Sequence, residues 1–153
     1  MIKIDKTDRK ILRTLARDAR VTNAELAQRV NLSPTPCLRR LRRLEADGPI
    51  RGYEARFDLE ALGLAVAALA FVKLTRASAE NAAVFEREVA ALPAVVECNV
   101  VAGSYDYVLR VVARSLGDYE MILKNQLAGI STVGDVESTI ILKQVPCDPA
   151  PPI

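Results

Sequence analysis

The chain has 153 residues, of which 50% are hydrophobic, and its 21 lysines and arginines nearly balance 19 acidic residues. This length supports one good hydrophobic core and a small second domain. Histidine is absent, the three cysteines are widely spaced, and the sequence contains neither a Cys-x-x-Cys pair nor a nucleotide-binding loop. We therefore expect no catalytic residues, no metal site and no cofactor, and an enzymatic function is disfavoured.

No apolar segment is long enough to cross a bilayer, because the longest candidate, residues 65–72, spans only eight positions. The amino terminus also lacks the apolar stretch of a signal peptide. We therefore expect a cytoplasmic protein without a membrane partner. Its thiols should be reduced, and Cys37, on the apolar side of a helix, and Cys98, within a strand, are expected to be buried.

Two helices are predicted at the start of the chain. The first covers residues 5–19, where apolar side chains recur at helical spacing. Thr22 and Glu25 have the capping-box pattern that begins a short second helix. A tight turn is expected at residues 31–32.

The next segment, residues 33–45, combines a helix start signal, an apolar stripe and four arginines. Ser33 is a good N-cap, Pro34 suits the first helical position, and Gly48 is placed to cap the end. At 100° per residue, one face is apolar and consists of Cys37, Leu38, Leu41 and Leu44. The opposite face consists of Thr35, Pro36, Arg39, Arg40 and Arg43.

A basic amphipathic helix is often only a solvated surface, but this one follows a helix and a short turn. That order is typical of a helix-turn-helix, whose second helix enters the major groove with its early residues at base edges. Residues 1–56 carry a formal charge of +7 and residues 57–153 carry −5, as expected when only one end meets phosphate. We predict that double-stranded DNA is contacted by Ser33, Thr35, Pro36, Arg39, Arg40 and Arg43.

A linker is predicted after this helix. Residues 51–57 should form a strand, a small wing, and residues 59–64 a helical turn closed by Gly63. Pro49 lacks the N–H that a strand ladder needs, so we expect it to loosen the linker. The predicted organisation is a helix-turn-helix domain over 1–48, a linker or wing strand over 49–63, a second domain over 64–145 and a proline-rich tail over 146–153.

The second domain alternates predicted strands and helices in the order βαββαβ. The strands cover 65–74, 95–101, 107–113 and 136–145, and the helices cover 79–92 and 116–127. This order predicts a ferredoxin-like split motif with both helices on one face of a four-stranded antiparallel sheet, and hence an α+β fold class for the chain.

The predicted strands carry apolar side chains on both faces, as in residues 65–72 and 140–142. A sheet with one solvated face should instead alternate apolar and polar residues. We therefore expect a second copy of the sheet to cover the open face, which makes the chain a homodimer. Such a dimer would hold two DNA-binding helices at the spacing of two half-sites.

The segment joining the second and third strands, residues 102–107, has two compatible interpretations. One is a β-hairpin loop in which Gly103 supplies a positive φ. The other is a ligand loop, in which backbone N–H groups hold a carboxylate while Asp106 faces an α-ammonium group. A zwitterion requires both features.

These motifs resemble the Lrp/AsnC family, the leucine-responsive and asparagine-operon type of transcription regulators. The resemblance covers residues 3–145, and its most specific parts are residues 5–12, 32–45, 52–53 and 103–107. It implies a winged or wing-like DNA-binding domain, a ferredoxin-like effector-binding and oligomerisation domain, and dimers that commonly assemble into octamer-like rings. It also implies that small molecules, usually amino acids, bind between dimers.

The resemblance places effector contacts in the 102–107 loop and near the turn before the last strand. Where the family usually has Leu-Pro-Gly-Val, residues 130–133 of this chain are Ile-Ser-Thr-Val. Either the pocket prefers a different ligand, or the turn has changed without consequence. The predicted effector-binding residues are Gly103, Ser104, Tyr105, Asp106, Ser131, Thr132 and Val133.

The sequence as a whole predicts a sequence-specific DNA-binding transcriptional regulator whose assembly or DNA binding responds to an amino acid. The alternative is an architectural nucleoid protein that uses the same helices with little sequence preference. Both functions place the chain at the nucleoid.

Overall fold

A computed structural model of the chain describes residues 3–152. The chain divides into two compact units. The first combines the chain up to Arg56 with the segment from Val145 onward, and the second is Phe57–Gln144. The junction at 56–57 falls inside the predicted linker, and the tail belongs to the first unit.

The first unit contains three helices, α1 (Lys6–Arg17), α2 (Asn23–Arg29) and α3 (Pro34–Ala46). The predicted capping box is confirmed, because the Thr22 side chain accepts from the Glu25 N–H and the Glu25 carboxylate accepts from the Thr22 N–H. The predicted turn is also confirmed, and its Asn31 has a φ of 58°.

The core of the first unit is built from the apolar faces of its three helices. Ile11, Leu26, Cys37 and Leu44 have at most 1% of their surface exposed. Burial of Cys37 and Leu44 confirms the predicted apolar face of α3. α3 ends at Ala46, and the following Gly48 has the positive φ typical of a residue just beyond a helix end.

Residues 51–57 do not form the predicted strand. Within residues 3–152 the sheet has four strands, all from the second unit, so this segment has no ladder partner in its own chain. The turn after it is confirmed, since Leu64 N–H donates to the Leu59 carbonyl at 2.8 Å and Gly63 has a φ of 78°.

The tail has no regular secondary structure, but it makes an exposed ion pair with α1. The guanidinium of Arg17 in α1 contacts the Asp148 carboxylate through two atoms, at 3.2 Å from Nε and 2.5 Å from Nη2. This pair holds the proline-rich segment to the first unit.

The second unit has the predicted βαββαβ order. Its elements are β1 (Val66–Leu74), α4 (Ala79–Ala90), β2 (Val95–Val100), β3 (Tyr107–Ala113), α5 (Leu116–Ile122) and β4 (Val133–Ile140). The strands lie in the order β2-β3-β1-β4 and each neighbouring pair is antiparallel. This is the ferredoxin-like α+β arrangement.

One face of the sheet packs on both helices. Alternate residues of β1, Ala68, Ala70 and Val72, have no exposed surface and share a hydrophobic core with Phe85 of α4 and Tyr119 of α5. None of the helices within residues 3–152 combines the length and apolar character needed to span a membrane.

The last helix and the last strand differ from their predicted bounds. The helix predicted to Leu127 is α-helical only to Ile122 and continues as a π-helical turn, Leu123–Leu127, in which each turn holds an extra residue. β4 begins three residues earlier than predicted and ends at Ile140 instead of Val145. Its last ladder pair joins Ile140 to Ala68, and one further hydrogen bond runs from the Ile141 N–H to the Ala67 carbonyl at 2.8 Å, close to the start of β1 at Val66.

Cys98 is exposed, not buried as predicted. It lies on β2, which is an edge strand of the sheet and is exposed along most of its length. Alternation along a strand predicts which face a side chain occupies, but the position of the strand in the sheet decides how deeply that face is covered.

Gly134 of β4 provides a test of how closely β4 approaches the end of β1. A Cβ at this position would lie 3.2 Å from the Thr75 N and Cα atoms, which belong to the backbone and cannot move aside cheaply. We expect Gly134→Ala to lower the free energy of unfolding by about 1–3 kcal/mol. The control is Gly103→Ala, because nothing lies within 4 Å of that Cβ, and urea unfolding of both variants measures the difference. Equal stabilities would contradict the close approach.

Candidate functional site

The beginning of α3 is directed outward. Ser33 is its N-cap by backbone conformation, but the Ser33 side chain makes no capping hydrogen bond, and Pro34 occupies the first helical position. Thr35 and Arg39 are exposed, and Pro36 is half-buried. Ser33, Thr35 and Arg39 therefore offer two hydroxyls and a guanidinium to a partner.

Two other predicted contact residues already have partners in the first unit. Arg40 Nη1 lies 2.6 Å from Asp5 Oδ2 and 2.8 Å from Asp8 Oδ1, and Arg43 Nη2 lies 2.5 Å from Asp8 Oδ2. The Asp8 side chain is completely buried. A buried carboxylate is stable only when charges and hydrogen bonds compensate it, so these arginines are held to α1.

Asp5 is the more exposed of the two acids, with 46% of its side chain accessible. The pKa of Asp5 falls to about 2, first because its carboxylate accepts the Asp8 backbone N–H and then because it accepts from Arg40. The Asp5 and Asp8 carboxylates also bind each other's backbone N–H groups in a capping box. The two acids at the start of α1 thus neutralise two of the arginines of α3.

A further positioning residue, Asn23, joins the starts of α2 and α3. Its Nδ2 donates to the Pro34 carbonyl at 3.0 Å, and its Oδ1 is buried without a hydrogen-bond partner within residues 3–152. Sequence analysis did not identify Asn23, Asp5 or Asp8 as parts of the site. The Asp5–Asp8 spacing indicates a helix start, but no local pattern indicates a partner 32 residues away.

The predicted effector loop is a hairpin, but not for the predicted reason. Gly103 does not have a positive φ. The loop is instead closed by backbone hydrogen bonds, from Val101 N–H to the Asp106 carbonyl and from Asp106 N–H to the Val72 carbonyl, both 2.9 Å. Asp106 Oδ2 accepts the Leu74 N–H at 2.8 Å, so one carboxylate oxygen is used in the fold.

Tyr105 connects this loop to the sheet face opposite the helices. Its ring lies 5.6 Å from the ring of Phe71, centroid to centroid, and its hydroxyl donates to Glu137. That hydrogen bond raises the pKa of Tyr105. The loop therefore has a side chain on the face that was predicted to meet a second copy.

The turn before β4 meets the same end of β1. The Thr132 carbonyl accepts from Thr75 N–H at 2.9 Å and from Thr75 Oγ1 at 3.3 Å. Thr132 is 6% exposed, and its hydroxyl oxygen has no hydrogen-bond partner within residues 3–152. Ser131 is exposed, and Val133 is the first residue of β4. The structure thus brings the two predicted effector segments to adjacent residues, Leu74 at the end of β1 and Thr75 just after it.

The sheet face opposite the helices carries both apolar and charged side chains. On β1, Leu69 and Phe71 alternate with the buried residues and are half-buried themselves. Val108 of β3 pairs with Phe71 across the sheet. Arg110 of β3 pairs with Leu69 in the middle of this face, and its Nη1 lies 3.5 Å from Glu97 Oε1 on the edge strand β2. We call this surface the open face.

Two family models together match nearly the whole chain. A winged helix-turn-helix DNA-binding domain matches residues 4–51, and the Lrp/AsnC ligand-binding domain matches residues 67–151. The match to the second model includes the hairpin loop, the 130–133 turn and the open face.

Curated relatives match the chain from end to end. It is 42% identical to the Bkd operon transcriptional regulator of Pseudomonas aeruginosa over 153 residues, which is 100% of both chains. It is 39% identical to the leucine-responsive regulatory protein of Rhizobium meliloti over 144 residues, 94% of this chain and 92% of the relative.

Solved structures have the same fold over nearly all of the chain. The transcriptional regulator NMB0573 of Neisseria meningitidis, crystallised as a complex with L-Met, matches with a TM-score of 0.92 and 34% identity over 98% of this chain and 97% of that chain. AsnC of Escherichia coli matches with a TM-score of 0.83 and 27% identity over 94% and 95%.

The two caps of α2 and α3 predict different costs of substitution. Thr22→Ala removes a capping box and should lower the free energy of unfolding by about 1 kcal/mol. Ser33→Ala removes a hydroxyl that caps nothing and should change stability by less than about 0.5 kcal/mol. Urea unfolding followed by far-ultraviolet circular dichroism compares them. A loss at Ser33 as large as that at Thr22 would show that the Ser33 hydroxyl serves the fold.

Proposed function

Because the chain belongs to the Lrp/AsnC family of transcriptional regulators, which are not enzymes, we propose that it binds specific operator DNA through α3 and that its affinity for this DNA changes when an amino acid binds. The family models divide the chain into a winged helix-turn-helix DNA-binding domain and a ligand-binding domain. The observation that carries the proposal is the outward-facing start of α3, with Ser33, Thr35 and Arg39 accessible.

Each accessible residue has a role that suits its chemistry. A helix that enters the major groove places its first turns at base edges. Thr35 and Arg39 are therefore the base-reading candidates, and Arg39 can donate two parallel hydrogen bonds to guanine. The uncommitted Ser33 hydroxyl suits a phosphate oxygen beside the helix start. Pro36 lies between them and contributes shape.

The proposed effector site is the end of β1, where the hairpin loop and the 130–133 turn converge. Asp106 uses one carboxylate oxygen for Leu74 N–H, and its other oxygen suits an α-ammonium group. Exposed backbone at Gly103 and Ser104 suits the carboxylate, and the unpartnered Thr132 hydroxyl adds a polar contact near Ser131 and Val133. The L-Met complex of the Neisseria relative supports an amino acid as ligand.

We propose homodimerisation through the open face, whose apolar residues a second copy would cover. Four such dimers would assemble into an octamer or a similar ring, as the family resemblance implies. An amino acid bound between dimers would then stabilise one ring geometry and so change which half-sites are engaged together, which requires different affinities for the two assemblies. The DNA-binding function places the protein at the nucleoid in the cytoplasm.

Arg39→Ala tests the DNA interface. If Arg39 reads a guanine, competition binding to an operator library should show a loss of about 1–3 kcal/mol and a relaxed preference at one base position. A phosphate contact would weaken all sequences alike. The control is Arg114→Ala, an exposed arginine of the second unit. Unchanged binding by Arg39→Ala would contradict the proposal, and equal affinity of wild type for all sequences would favour the architectural alternative.

Asp106→Asn tests the effector site. Asparagine keeps an oxygen for Leu74 N–H but removes the charge that an α-ammonium group needs. An amino-acid panel is scored by thermal shift and by sedimentation velocity, and a ligand that raises the melting temperature of wild type should lose at least about tenfold in affinity with the variant, which is 1.4 kcal/mol. Gly117→Ala, away from both segments, is the control. Equal shifts with Asp106→Asn would place the ligand elsewhere.

A further inference from the structure

The four arginines of α3 fall into two classes. Arg40 and Arg43 end on carboxylates at the start of α1. Arg39 and Arg42 have no ion pair within residues 3–152 and are exposed. Charge alone does not separate the two classes, because all four guanidinium groups lie on one helix of thirteen residues.

Both carboxylate oxygens of Asp8 contact an arginine of α3. Its Oδ1 contacts Arg40 Nη1 at 2.8 Å, and its Oδ2 contacts Arg43 Nη2 at 2.5 Å and the Asp5 N–H at 3.1 Å. With no surface of its own, the carboxylate cannot exchange these partners for water. Pulling either arginine away would leave a buried charge undercompensated, which is strongly unfavourable.

Asp5 holds Arg40 from the solvent side. The contact between Arg40 Nη1 and Asp5 Oδ2 is 2.6 Å, and both side chains remain partly exposed, at 30% and 46%. Exposed ion pairs are weak and sensitive to salt. A DNA phosphate can therefore compete with Asp5 for Arg40 more readily than with Asp8 for Arg43.

We propose that Asp5 and Asp8 form an acidic clasp that keeps Arg40 and Arg43 from DNA phosphates and so raises the ratio of sequence-specific to non-specific binding. The two acids are positioning residues that need not touch DNA. Each phosphate contact adds affinity for every sequence alike, with a salt slope of about 0.9 per contact. If Arg40 and Arg43 do not contact the DNA phosphates, a larger share of the binding free energy comes from base contacts made by the rest of α3. Those base contacts then determine which DNA sequence is bound.

This inference rests on the proposed function, since it requires α3 to be the DNA-contacting helix. It also explains why a helix with four arginines carries an acidic turn against it. An acid beside a DNA-binding surface weakens binding to all sequences, so its value lies in discrimination.

Asp5→Asn is the central test, because asparagine is as good an N-cap as aspartate, while it carries no charge and its amide nitrogen cannot accept from Arg40 in place of Oδ2. Binding is measured for the full chain on a random duplex and on a selected operator between 50 and 200 mM salt. In this variant Arg40 stays in contact with Asp8, but its solvent-facing side is no longer occupied by Asp5 and can bind a phosphate. We therefore expect the slope of log Kobs against log salt to steepen by about 0.9 on the random duplex. Its affinity at 50 mM should rise about threefold or more, while operator affinity rises less, so the specificity ratio falls.

Two further variants assign the effect. Asp18→Asn is the matched control, since it makes the same charge change and releases Arg29 of α2, and it should leave the specificity ratio of wild type intact. Adding Arg40→Ala to Asp5→Asn removes the cation that Asp5 no longer neutralises and should return the slope on the random duplex to the wild-type value. Circular dichroism of each variant confirms that the helices are retained.

Several results would overturn the clasp. One is an Asp5→Asn specificity ratio and slope equal to those of Asp18→Asn. A second is a steepened slope that persists in the double variant, and a third is a loss of operator binding by Arg40→Ala as large as that of Arg39→Ala, which would show that Arg40 contacts DNA in wild type. If Arg39→Ala has no effect on DNA binding, the proposed function fails and the clasp fails with it. An effect at Arg39 with none at Asp5 removes the clasp alone.

Discussion

The burial of one ionised carboxylate organises the first unit. Asp8 has no exposed surface, and a charge in that position must be compensated by partners that cannot leave. Arg40 and Arg43 provide the compensation, and this fixes which side of α3 lies against α1. The apolar contacts of Cys37 and Leu44 bury the neighbouring side of the helix, so Arg40 and Arg43 flank the apolar face and do not lie opposite it as predicted. The accessible residues at the start of α3, which are Ser33, Thr35 and Arg39, are therefore free for a partner. The charge that remains there is positive. The DNA-binding role follows from this division of a single helix into a committed side and an accessible side.

The second unit concentrates its functional groups in a similar way. β1 ends at Leu74. The Leu74 N–H binds the hairpin loop through Asp106, and the next N–H along the chain binds the turn before β4 through the Thr132 carbonyl. Tyr105 extends from the loop to Phe71 and Glu137 on the open face. A ligand that moves the loop would therefore also alter the surface through which we propose that copies of the chain meet. In this proposal, effector binding and assembly would be coupled by direct contact, without a long pathway between two distant sites.

Local rules predicted much of this structure, and long-range pairing limited the rest. The capping box at Thr22, the apolar face of α3 and the βαββαβ order depend on residues close in sequence, and the structure confirms them. The prediction of a strand at 51–57 is wrong, because a strand needs a neighbouring strand to hydrogen-bond with, and local composition does not reveal whether one is present. The exposure of Cys98 depends on β2 being an edge strand. The clasp depends on side chains 32 to 35 residues apart, and the hairpin is closed by backbone bonds where a positive φ at Gly103 was expected.

The most direct test of the account is to locate the DNA on the protein. A photoreactive amino acid placed at Thr35 or at Arg42 of α3, and for comparison at Glu97 on the rim of the open face, is irradiated in the presence of a genomic duplex at low salt. The account predicts crosslinks to DNA from the α3 positions and none from position 97. Crosslinks from position 97 without any from Thr35, in protein that retains the duplex, would contradict the assignment of α3 as the helix that meets DNA.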